Sequence, residues 1–227
     1  MPLKSLVALR SLLLPALAAG IAAGLSTALL QELYLVPMIL QAEAVELGGA
    51  EHVHHGLDRM LYTALFDCLG AFGFALLLAA GLAWRGAVSW KQGLMWGLAG
   101  YASFALAPAL GLPPELPGAE TAALAARQLW WIGCALATAA GIACYALGSA
   151  RSVRALGVVM IVLPHFIGVP SGEELSALPV GLPRSFAFGS LAVSLVMWVV
   201  IGIVTAVVMT RNLPSPSFAE TASTAGT

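Results

Sequence analysis

The stretch "SFAFGSLAVSLVMWVVIGIVTAVVMT", Ser185 to Thr210, holds no charged residue. Wound as an α-helix at about 1.5 Å per residue, it exceeds the roughly 30 Å hydrocarbon core of a bilayer. Other blocks repeat the pattern. Ser11–Leu30 is free of charge, Met60–Trp84 carries a single acid, Asp67, and Gly93–Leu112 and Leu129–Ala150 are uncharged. Ala155–Pro170 is shorter and only marginally long enough to span. The whole chain of 227 residues is 60% hydrophobic and 9% charged, with a mean hydropathy of +0.93. A soluble domain carries about a quarter charged residues, so these blocks read as membrane spans and not as one large core.

The expected fold is therefore all-α, a polytopic transmembrane helical bundle of six spans. They are placed at about 6–31, 60–84, 92–112, 128–150, 155–170 and 185–210, the fifth short and Pro-broken. Residues 1–213 form one membrane domain. The polar, low-complexity tail 214–227, "PSPSFAETASTAGT", is expected to be disordered.

Charge assigns the sides. With the N-terminus cytoplasmic, the inner segments hold Lys4, Arg10, Arg85, Lys91, Arg151, Arg154 and Arg211, leaving only Arg59, Arg127 and Arg184 outside. The acids segregate oppositely. Glu32, Glu43, Glu46, Glu51, Asp58, Glu115, Glu120, Glu173 and Glu174 fall outside, against Asp67 in a span and Glu220 in the tail. Omitting the fifth span would move Arg211 and the Glu173–Glu174 pair to the opposite side, so the positive-inside rule supports six spans with both termini cytoplasmic. Lys4, Arg10 and "ALAAG" (Ala16–Gly20) resemble a signal peptide, but the apolar run continues to Leu30, so the first helix is expected to be retained.

Several features are structural. Cys68, Cys134 and Cys144 sit in apolar blocks with no disulfide or zinc spacing and read as small hydrophobes. Gly20 with Gly24, and Gly93 with Gly97, form GxxxG pairs that allow close helix approach. A net charge of −1 offers no basic surface for nucleic acid. No GxxxxGK[ST] loop and no HExxH pair is present, which argues against nucleotide-driven transport within the chain and against an intramembrane metalloenzyme.

Ionisable groups in or beside spans are functional candidates, because hydrocarbon penalises them. Asp67 lies about two turns into the second span. His165 follows Pro164 in "LPHFIGVP" (Leu163–Pro170), where prolines are expected to break the helix. Glu115 is held in the proline-rich "APALGLPPELPG" (Ala107–Gly118), read as a rigid non-helical end to the third span. "RQLWW" (Arg127–Trp131) opens the fourth, with Arg127 and the two Trp residues as interfacial anchors. Between the first two spans, "AEAVELGGAEHVHHGLDR" (Ala42–Arg59) gathers Glu43, Glu46, Glu51, His52, His54 and His55. Imidazole and carboxylate together suit borderline divalent ions such as Co²⁺, Ni²⁺ and Zn²⁺, and the spacing matches no closed structural zinc motif. The loop reads as an exchangeable capture site, with Glu43 and Glu46 beside the ion and the remainder binding it.

The proline-rich element, "RQLWW", the Pro-His element and the His/Glu loop together resemble the CbtA family of predicted cobalt transporters. The resemblance covers nearly the whole chain and implies a bacterial inner-membrane protein associated with cobalamin-regulated genes. It implies Co²⁺ as substrate and a small single-span, His-rich CbtB-like subunit as partner. Glu115, His165 and the triplet His52, His54 and His55 fall in the family's corresponding elements. The combined expectation is a non-enzymatic component of divalent-metal uptake. The outer loop collects the ion, Glu115 and His165 accept it at the bundle mouth, and Asp67 forms a deeper station. No cofactor is expected beyond the transported ion. Lipid surrounds the bundle, and a homo-oligomer is left open. The alternatives are a non-transporting scaffold subunit and a transporter of another divalent metal such as Ni²⁺.

Overall fold

The computed structural model describes residues 3–46, 56–86, 88–117, 122–170 and 178–212. The described residues contain helices and no strand. α1 (Leu3–Leu30) continues through a π-helical segment, Gln31–Leu35, into α2 (Val36–Glu46). After α3 (Leu57–Arg85), α4 (Trp90–Tyr101) passes in the same way through Ala102–Leu106 into α5 (Ala107–Ala109). α6 (Leu124–Leu147), α7 (Arg151–Ile167) and α8 (Leu182–Asn212) complete the bundle. Four stretches are long and apolar enough to cross a membrane: Leu9–Val45, Leu57–Arg85, Leu124–Leu147 and Leu182–Arg211. The other two expected spans are helical as well, one interrupted by its π segment and the other only 17 residues long.

Three boundaries differ from the sequence expectation, each at a proline. The first helix does not give way to a loop near residue 42 but runs on to Glu46. Pro37 lacks the N–H that an α-helix would direct at residue 33, and its ring crowds that carbonyl. The wider π turn just before it absorbs the misfit, with the Val36 N–H bonding to the Gln31 carbonyl five residues back. Pro108 follows the same device, because the Ala107 N–H bonds to the Ala102 carbonyl. The helix therefore reaches Ala109 before the proline-rich element leaves it. Pro164 does not break the fifth expected span. It sits inside the last turn of α7, which ends at Gly168 with φ +97°, a conformation that favours glycine.

Side-chain size is distributed inversely to a soluble bundle. On α1, Leu13, Leu17, Ile21, Leu25, Leu29 and Leu33 form an exposed stripe at four-residue spacing, while Ala16, Ala19 and Ala23 are fully buried. Lipid tails are as apolar as leucine, so helices gain by close backbone packing and large residues can face outward. The two GxxxG pairs work as expected. A Cβ on Gly20 would lie 2.7 Å from the Phe72 Cα, and one on Gly24 would lie 2.4 Å from the Cys68 Cα, both on α3. Gly93 and Gly97 likewise press on the Gly202 and Trp198 carbonyls of α8, at 2.3 and 2.4 Å. The cysteines are free; Cys134 is buried and the other two are half-buried.

Candidate functional site

Two carboxylates stand out, one in the non-helical proline-rich element and one on α3. The first is built by the proline-rich element. Its residue Leu116 is only 4% exposed and packs in a cluster with Leu35, Ala42, Phe186 and Val193. That anchor ties the element to the α1–α2 helix and to α8. The neighbouring Glu115 accepts a hydrogen bond from Arg127 Nη2 in the first turn of α6, and the two charges form an ion pair. The N-terminal cap of α6, Ala123, has no side chain able to cap the helix, so a carboxylate nearby suits the positive end of its dipole.

The pair rims a cleft of about 650 Å³ lined by Pro114, Glu115, Arg127, Gln128, Trp131 and Ser194 among others. Beneath it, the Trp131 ring approaches Phe104 at 6.3 Å, and Phe104 packs on Phe74 and Trp198 at 5.2 and 5.6 Å. This aromatic cluster joins α3, the second π segment, α6 and α8.

His165 joins the same end of the bundle through Trp130. The two rings meet edge-on with centroids 6.0 Å apart. Gly111 abuts the other side of that indole, where a Cβ would lie 2.4 Å from Trp130 Cη2. Arg127 and Trp130, three residues apart on α6, thus connect Glu115 to His165 along one helix face. The buried Arg127 Nε and Trp130 Nε1 have no hydrogen-bond partner.

The second station lies between α1 and α3. Gln31 Nε2 donates to Asp67 Oδ1 at 3.3 Å, while the buried Oδ2 has no partner. Asp67 shares a helix face with Phe74, seven residues on, so it looks toward the interior, as its chemistry requires.

Glu43, expected in a loop beside the ion, stands on α2 and accepts from both terminal nitrogens of Arg59 at 3.4 and 3.5 Å. This contact ties the end of α2 to the start of α3, at the base of the intervening polar segment. Glu46 closes α2. Glu51, His52, His54 and His55 lie outside the described residues, as does the tail 214–227. Among the described residues no three His, Cys, Asp or Glu side chains come together to hold an ion. Glu115, His165 and Asp67 therefore do not form one ligand cage.

Sequence reasoning assigned Arg127 only an interfacial role and passed over Leu116, Thr27 and Gln31. The Glu115–Arg127 pairing carries no short-range signal, because twelve residues and a turn separate the partners. Gln31 was detectable as a polar residue continuing the Gly20–Gly24 stripe.

The family model described as "Probable cobalt transporter subunit (CbtA)" matches residues 9–210. No curated protein and no solved structure matches the chain.

Proposed function

The chain belongs to the CbtA family, whose members are membrane-spanning transporter subunits and not a class of enzymes, and from that premise we propose that it admits Co²⁺ through the cleft beside Glu115. The reading is carried by the convergence of the proline-rich element, "RQLWW" and the Pro-His element at one end of the bundle. In this mechanism the segment bearing Glu51, His52, His54 and His55 collects the ion. Glu115 and His165 receive it at the mouth of the bundle. A cation arriving at Glu115 displaces Arg127, so the carboxylate exchanges one positive partner for another and never stands bare.

The proposed topology has six spans, α4–α5 and α7 included, with both termini in the cytoplasm of a bacterial cell and the chain in its inner membrane. Inward movement of a dication is favoured by a negative-inside potential at about 2.3 kcal/mol per charge per 100 mV. A single-span, His-rich CbtB-like subunit is the proposed partner.

Reconstituted protein, alone and with that partner, should carry radiolabelled Co²⁺ into liposomes under a potential. Uptake no greater than that of empty liposomes in both preparations removes the proposal and leaves a scaffold role. Unlabelled Ni²⁺ that competes better than Co²⁺ would reassign the metal.

A further inference from the structure

Gly20, Gly24, Thr27 and Gln31 recur at intervals of four, three and four, which places them on one face of the α1 helix. Contacts fix that face against α3: Gly20 meets Phe72, Gly24 meets Cys68, and Gln31 bonds Asp67. Thr27 thus lies on the stripe between two positions that touch the adjacent residues Asp67 and Cys68. It is 4% exposed, and its hydroxyl has no hydrogen-bond partner.

Helical hydroxyls ordinarily satisfy themselves by bonding a carbonyl three or four residues back. Ser26 does so to Ala23 at 2.9 Å, Ser103 to Ala99 at 2.8 Å and Thr210 to Val207 at 2.8 Å. Thr138 and Thr205 are buried without a partner as well. Thr27 differs from these two in lying one turn before Gln31, the partner of a carboxylate whose own Oδ2 is buried and unpartnered. Two orphaned oxygens on facing helices cost free energy unless something bonds both.

We propose that Thr27, Gln31 and Asp67 form a binding site for a small hard monovalent cation of the Na⁺ class. The donors are a hydroxyl, an amide and a carboxylate, all able to present oxygen, which suits hard ions and not the borderline dications drawn to imidazole. The Gln31 amide bonds Asp67 through nitrogen in the ion-free pair and presents Oε1 once its amide plane turns over. Charge decides between valences. One carboxylate neutralises a monovalent ion, whereas a dication would leave a net charge in a medium of low dielectric. The π turn that begins at Gln31 widens the helix at the same place, a local irregularity frequent at functional sites. The site is independent of cobalt capture beside Glu115.

Thermal unfolding of the full-length protein in detergent tests it, with Na⁺ titrated against choline at constant ionic strength and no cobalt present. Wild type should gain a saturable, Na⁺-specific stabilisation, which Asp67→Asn abolishes. Thr27→Val should unfold no earlier than wild type in choline, because it removes an orphaned hydroxyl, yet bind Na⁺ roughly tenfold more weakly. No Na⁺-specific shift in wild type overturns the site, as does Thr27→Val with wild-type affinity. Competition by micromolar Co²⁺ for the same stabilisation overturns the assignment to a hard monovalent ion.

Discussion

Glu115 and Asp67 are both carboxylates, but their partners make them different instruments. Glu115 sits at a cleft rim, with its side chain 30% exposed and a guanidinium already bound. Asp67 sits between helices with one oxygen on a neutral amide and the other unpartnered. At the rim the charge is already balanced by Arg127, so on the proposed route binding there is an exchange of partners. Between the helices the charge is left open, so whatever binds gains the full electrostatic attraction.

The largest effect is expected where the charge is open. Asp67→Asn should abolish the Na⁺-specific stabilisation, a loss of more than about tenfold in Na⁺ affinity, while leaving the fold intact. An unchanged Na⁺ response would reduce Asp67 to a packing residue and dissolve the contrast. Next come Glu115→Gln and His165→Ala, each expected to slow uptake by about three- to tenfold through loss of one ligand. A loss of cobalt uptake in Asp67→Asn equal to that in Glu115→Gln would put both carboxylates on one ion path.

Arg127→Gln sharpens the comparison in the opposite direction. It frees Glu115, so the KM for Co²⁺ should fall by up to about fivefold, the equivalent of a partly exposed ion pair. A rise in KM would show that the arginine builds the rim instead of competing at it. His52→Ala should matter least, below about twofold, because neighbouring loop ligands substitute for one another. Should His52 prove more important than Glu115, the division between capture and passage fails.

Much of the bundle was legible because membrane helices advertise themselves by the absence of charge. The GxxxG pairs were legible too, since a Cβ at any of these glycines would fall within 2.3–2.7 Å of the facing helix. Proline was misread at Pro108 and Pro164. The rule that it ends a helix rests on a lost hydrogen bond and a ring clash; a π turn accommodates both at Pro108, and at Pro164 the helix runs on only to Ile167. The site was legible in its parts and not in its pairings. Glu115 and His165 stood out as charge or imidazole beside proline. Arg127, Trp130 and Leu116 gained meaning only when the chain brought α6 and the proline-rich element together. Thr27 and Gln31, uncharged in an apolar run, gave no electrostatic signal at all.

The arrangement of helices has a mechanical corollary. α1, α3, α4 and α8 pack on one another along their lengths, and α6 packs chiefly on α7. α6 meets the larger group mainly through the second π segment, α5 and a slight contact with α4. The cleft lies along that seam, with Leu191 and Ser194 of α8 facing Gln128 and Ile132 of α6. Stiffness is therefore unevenly shared, and compliance gathers at the joint where the ion pair sits. The α6–α7 hairpin is thus the part of the bundle least tied to the rest, and Glu115 and Arg127 pair across its seam.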